Sequence, residues 1–239
     1  MPPRPKSFVI AIDGPAASGK SSTAQWVADR LGWLHVDSGA LYRAATAASL
    51  RAGAPPESWS EDSVLAASRN ISLVPGERTF EARVDGKDAN AEMRGADVTR
   101  NVSLVAKMPA VRAWVNDQVR RAAEGRNVVV DGRDIGTVVF PDADLKVFLV
   151  ADPWERATRR LVQRLGRRPT EAEIAEETER LVNRDAKDAT QTVQAKDAVL
   201  LDTTYLTQAE QVERIVALTM AVTRRPDDTS DVDAADARS

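Results

Sequence analysis

Eight consecutive residues carry the clearest chemistry of this chain: Gly14 to Ser21, GPAASGKS, fit the pattern G-x-x-x-x-G-K-[ST] between an apolar run and a helix-like stretch. A glycine-rich turn lets backbone N–H groups close around phosphate oxygens, and the helix that follows adds the partial positive charge of its N-terminus. Gly14, Pro15, Ala16, Ala17, Ser18, Gly19, Lys20, Ser21 and Ser22 are therefore the candidate triphosphate-binding residues. Lys20 is expected to stand exposed and reach the β- and γ-phosphates as a point charge, with the Ser21 hydroxyl a ligand for Mg²⁺. The implied ligand is ATP or GTP.

Composition narrows what else can act. The chain has no cysteine and one histidine, His35, which excludes disulfides and thiolate zinc sites and argues against Ser-His-Asp hydrolysis. Carboxylates, hydroxyls, lysine and arginine must carry the reaction. His35 lies in a short apolar run and reads as structural. Arg43 and Arg133 stand in or beside expected loops, where a guanidinium can grip a second phosphate in two-pronged fashion and cancel its repulsion with the donor. On residue type alone Arg43 could equally be a solvated helix residue, Asp134 a turn aspartate and Ser38 a helix cap.

These residues need a scaffold. The chain has 239 residues, 43% hydrophobic and 29% charged, enough for one good core with a smaller lobe. FVIAID, NVVVD, LKVFLVA and AVLLD read as buried strands alternating with helical patterns, which implies a mostly parallel sheet with helices on both faces. Residues 60–105 change character: ISLVP and TFEARVDG, with Pro75-Gly76 and the Asp85-Gly86 turn signal, read as a small β-containing insertion. An amphipathic helix is expected from Pro109 to near Gly125. Residues 155–188 read as two arginine-rich and glutamate-rich helices broken at Gly166 to Pro169, a mobile lid in which Arg156, Arg160 and Arg164 share one face. Residues 1–7 are expected to be flexible and residues 8–225 to form the working domain. Residues 226–239, with five Asp and one Arg, outweigh the whole net charge of -3 and read as a disordered acidic tail. The N-terminus MPPRPKS has no apolar signal stretch and no membrane span is present, so a cytoplasmic protein is expected.

After the phosphate loop, DSGALYR (37–43), RNVSLVA (100–106), PAVR (109–112), DGRDIGTVVFPDA (131–143) and RDAKD (184–188) follow in an order that closely resembles bacterial cytidylate kinase, the CMP/dCMP kinase family. The resemblance spans about residues 7–220, and DGRDIGTVVFPDA is its most specific part. It implies an α/β phosphate-loop nucleoside monophosphate kinase fold, a parallel sheet flanked by helices with a substrate-binding insertion and a helical lid. It further implies transfer of the γ-phosphoryl group of ATP to CMP or dCMP with Mg²⁺, by a monomer with no nucleic-acid polymer or membrane as partner. Positions matching Ser38, Arg43 and Arg133 hold the acceptor phosphate in that family, those matching Ser103, Arg112 and Asp134 read cytosine, and those matching Arg184 and Asp188 lie near the ribose. Gln191 stands where the commoner family pattern has arginine, and Lys187 replaces another arginine. A kinase for another acceptor such as UMP, or a nucleotide-gated module without catalysis, remains the alternative from sequence.

Overall fold

The apolar run at the start forms β1 (Val9–Asp13), and Gly14 turns the chain out of it at φ +147°. A Cβ at Gly14 would lie 2.2 Å from the Leu149 carbonyl oxygen, so glycine alone lets the phosphate loop pass this close to the sheet. Behind the loop, α1 (Lys20–Leu31) runs to a left-handed Gly32. Next, β2 (Leu34–Asp37) leads without a break into α2 (Ser38–Arg51), because the Asp37 carboxylate caps that helix by accepting from the Ala40 N–H at 3.1 Å. The structure, a computed structural model, describes residues 7–223. Residues 1–6 and the acidic segment at 226–239 lie outside the described residues.

After α3 (Glu61–Ala67), β3 (Ile71–Pro75), β4 (Phe80–Val84) and β5 (Lys87–Asp88) form an antiparallel sheet in that order. Asp85 and Gly86, both at positive φ, make the tight β4–β5 turn. Then come α4 (Asn90–Met93) and α5 (Ala96–Val105). The insertion is thus more helical than its strand signals suggest: in α5, Val98, Val102 and Val105 at i, i+4 and i+7 are all buried, and three β-branched residues mask the helix propensity there. In α6 (Pro109–Ala123), Val111, Val115, Val119 and Ala122 turn one stripe to the core.

The second half supplies β6 (Val128–Asp131), β7 (Leu145–Val150), α7 (Pro153–Leu165), α8 (Glu171–Asp188), β8 (Val199–Asp202) and α9 (Gln208–Thr223). Thr170 and Glu173 close a capping box at the start of α8. The main sheet is entirely parallel, in the order β2-β6-β1-β7-β8, with Ile10 beside both Val129 and Leu145. Helices cover both faces. One core gathers Leu41, Val64, Val115 and Val130, and the other Ile10, Val27, Leu149 and Ile215. Strand order reverses direction at β1, which opens a crevice at the carboxyl ends of the strands. Asp13, Asp37 and Asp131 end β1, β2 and β6 there, with Asp37 and Asp131 in register. Among the described residues no helix is long and apolar enough to cross a membrane.

Candidate active site

The crevice is a cavity of about 1020 Å³, and its walls come from the phosphate loop, the start of α2, the small antiparallel sheet, α5, α6, the turn after β6 and α8. Of the nine loop positions singled out from sequence, Ala16 to Ser22 line it, and Gly14 and Pro15 do not. Ser38, Arg43, Ser103, Arg112, Arg133, Asp134, Arg184 and Asp188 all line the same cavity.

Lys20 does not stand exposed: at 5% exposure it is buried, its Nζ donating to the Pro15 carbonyl at 2.5 Å with Ser18 Oγ 3.4 Å away. Burial, and then the neighbouring Arg133, hold its pKa well below the usual lysine value. Ser21 donates its hydroxyl proton to Asp131 Oδ2 at 2.5 Å. Ser38 does not cap α2, a task done by Asp37; its hydroxyl donates instead to the Asp131 carbonyl at 2.8 Å.

Arginines crowd one side of the cavity. Arg43 pairs with Asp37 at 2.5 Å, while Arg133 and Arg184 approach Asp188 Oδ2 only to 3.8 and 3.7 Å. The Nε atoms of Arg133 and Arg184 are buried with no hydrogen-bond partner. Burial lowers the Arg184 pKa, and repulsion from Arg133, Arg160 and Arg43 adds to it, against the pull of Asp188. Such a cluster is a poor way to stabilise a fold and a good way to hold phosphate. Deeper in, Arg112 pairs with Asp134 and donates to Gln191 Oε1 at 3.3 Å. Burial raises the Asp134 pKa despite Arg112.

The turn that carries Arg133 and Asp134 is held from below. Asp13 accepts from the Ile135 N–H at 2.8 Å and the Gly136 N–H at 2.7 Å, and burial pushes its pKa up to about 6. The helical hairpin of α7 and α8 packs Leu161, Ile174 and Leu181 against Ala16 of the phosphate loop. Its three in-register arginines are divided by the structure. Arg156 is buried and donates to the Ala16 carbonyl at 2.7 Å beside Asp185, Arg164 turns to Glu177, and Arg160 lines the cavity while also pairing with Glu177 at 2.8 Å.

Three groups at this site, Asp131, Asp13 and Asp185, are not assigned a role from the sequence, and a fourth, His35, reads there as structural. Asp131 carried a usable signal, an aspartate ending the buried strand VVVD ahead of a loop, the position from which a carboxylate reaches a phosphate-loop serine. Asp13 ends β1 in the same way. His35 and Asp185 carried none, since their partners lie 96 and 169 residues away. Asp131 binds the His35 ring at 2.7 Å and, with its charge and that of Asp37, outweighs burial to raise the imidazole pKa.

The family model for cytidylate kinase matches residues 10–221. The chain belongs to the cytidylate kinase family. It is 40% identical over 214 residues to the cytidylate kinase of Limosilactobacillus reuteri, covering 88% of this chain and 94% of that one. To the cytidylate kinase of Caldanaerobacter subterraneus it is 43% identical over 210 residues, covering 86% and 92%. Among solved structures, a shikimate kinase from Bacteroides thetaiotaomicron aligns with 89% of this chain and 98% of its own at 14% identity and a TM-score of 0.47. As a cytidylate kinase the chain is a nucleoside monophosphate kinase, a phosphotransferase that phosphorylates CMP at the expense of ATP.

Proposed function

We propose that CMP and dCMP both serve as acceptors, that Mg²⁺ accompanies ATP, and that the cavity divides the work between its two ends. The observation that carries this reading is the convergence of Arg43, Arg133, Arg160 and Arg184 on the cavity that Lys20 and the phosphate loop also line. Two polyanions must meet in line, and their mutual repulsion is the first barrier to remove.

At the donor end, the backbone N–H groups of the phosphate loop and Lys20 cradle the triphosphate. At the acceptor end, Arg43, Arg133 and Ser38 hold the monophosphate, Arg184 and Asp188 lie by the ribose, and Arg112, Asp134 and Ser103 read the base. The acceptor oxygen is already anionic near neutral pH. It attacks the γ-phosphorus as the bond to the bridging oxygen of ADP breaks, and no general base is needed. Positioning and fixed positive charge supply the catalysis.

The donor set beside Lys20 suits Mg²⁺. Ser21 Oγ and the Asp131 carboxylate are hard oxygens 2.5 Å apart, and this ion is commonly held by one or two carboxylates together with substrate phosphates. Among the described residues no cluster of three or more His, Asp or Glu side chains offers a cage of its own. Held by Ser21 and Asp131, the ion would supply positive charge that offsets the negative charge developing in phosphoryl transfer.

A coupled assay of ADP release with ATP and each nucleoside monophosphate tests the reading. ADP should form only with CMP or dCMP present and cease on chelation with EDTA. The same ADP release with no acceptor, or with the metal removed, overturns it.

A further inference from the structure

The phosphoryl transfer gives His35 no task, yet both its ring nitrogens are engaged in a residue only 4% exposed. Nε2 lies 2.7 Å from Asp131 Oδ1, and Nδ1 lies 3.2 Å from Thr79 Oγ1. A carboxylate only accepts, so Nε2 carries the proton. The other oxygen of Asp131 receives the Ser21 hydroxyl at 2.5 Å. A continuous line, Thr79 to His35 to Asp131 to Ser21, thus runs from the small antiparallel sheet to the phosphate loop.

The terminal torsion of an aspartate is soft and roughly two-fold, so a hydrogen bond on one oxygen alone leaves the carboxylate plane free to turn. A bond on each oxygen fixes it. His35 is itself fixed. Its backbone N–H donates to the Arg78 carbonyl at 2.9 Å, and its strand pairs it with Val129. We propose that His35 is a positioning residue, holding the Asp131 carboxylate in the plane that keeps one oxygen against Ser21, where the divalent cation of the nucleotide complex is held. This rests on the Mg²⁺ reading above. Side chains that orient metal ligands from behind typically contribute about 10- to 100-fold in metal affinity.

The test measures Mn²⁺ affinity by electron paramagnetic resonance in the full chain with a non-hydrolysable β,γ-methylene analogue of ATP. His35→Phe, which keeps a ring but no nitrogen, should weaken Mn²⁺ binding about tenfold or more and lower kcat while leaving KM for CMP within about twofold. His35→Gln, whose amide can still donate to Asp131, should recover most of the loss. Wild-type Mn²⁺ affinity in folded His35→Phe overturns the proposal, as does a glutamine variant no better than the phenylalanine one, which would assign the loss to packing. Should His35→Phe fail to fold, Thr79→Val removes the Nδ1 partner, along with that hydroxyl's longer 3.4 Å contacts to the His35 and Phe80 carbonyls, and should weaken Mn²⁺ binding in the same direction, with unchanged affinity counting against the proposal. Asp131→Asn separates the two ideas: if it too binds Mn²⁺ normally, the metal reading itself fails.

Discussion

Removing the Asp185 carboxylate should loosen the phosphate loop and the helical hairpin together. Arg156 is 4% exposed in its side chain and meets Asp185 Oδ2 at 2.7 Å, while Asp185 Oδ1 accepts from the Ala16 N–H at 3.2 Å. Arg156 also donates to the Ala16 carbonyl at 2.7 Å and the Ala151 carbonyl at 3.0 Å. The pair therefore clasps both polar groups of one loop residue. Asp185→Ala leaves a buried guanidinium with two carbonyl acceptors but no counter-charge, a change that costs about 3–5 kcal/mol when fully buried. Asp185 is 25% exposed, so water screens part of this, and the loss of the Ala16 contact adds back about 1 kcal/mol. A net of about 3 kcal/mol is expected, or a fall of roughly 6–12 °C in Tm for a domain this size.

Urea unfolding followed by tryptophan fluorescence reads this directly, with KM for ATP measured alongside. Asp185→Asn, which keeps an acceptor but drops the charge, should fall between Asp185→Ala and wild type. The double variant Arg156→Met/Asp185→Leu should regain most of the stability, because an apolar pair of similar size needs no compensation, but not the wild-type KM for ATP. If Asp185→Ala lies within about 0.5 kcal/mol of wild type, the buried charge is not held by this pair and the clasp is not what shapes the loop.

Lys20→Ala should lower kcat at least a hundredfold, about 3 kcal/mol of lost charge stabilisation, with the far-ultraviolet CD spectrum unchanged. Gln191→Arg would set a second guanidinium against Arg112 and should change the CMP to UMP ratio of kcat/KM by less than about tenfold, whereas Asp134→Ala, which leaves Arg112 without its partner, should lower kcat/KM for CMP by about a hundredfold or more. Folded Asp13 keeps its proton up to about pH 6 against 3.8 for the ordinary group, so the folded state binds more protons between those values and loses up to about 3 kcal/mol of stability as pH rises through that window. Asp13→Asn should flatten that part of the stability profile in urea melts.

What could be read from the sequence follows from how far apart the partners lie. The phosphate loop declares itself because its glycines, lysine and serine sit within eight residues, and the strand before it and helix behind it are set by their own apolar patterns. The parallel character of the sheet follows from continuous apolar strands alternating with helices, but the order β2-β6-β1-β7-β8 does not. Arg43 and Arg133 are ordinary arginines by residue type, singled out because a phosphorylated acceptor needs paired positive charge and because they stand in the segments DSGALYR and DGRDIGTVVFPDA, while their crowding with Arg184 depends on α8 folding back over the turn after β6. His35 and Asp185 gain their roles only from tertiary contacts, whereas Asp131 is marked by its place at the end of a buried strand. A histidine in a short apolar run is most simply a satisfied core residue, and only the parallel register of β2 beside β6, which sets His35 against Val129 and Asp37 against Asp131, brings its ring to the carboxylate. Lys20 shows the same limit in reverse. Its place in the motif gave its chemistry, but its burial, with Nζ on the Pro15 carbonyl and beside Ser18, comes from the folded loop itself. Long-range register thus decides which of two ordinary readings of a polar residue holds, and in this fold that choice falls at the strand ends, beside the phosphate loop.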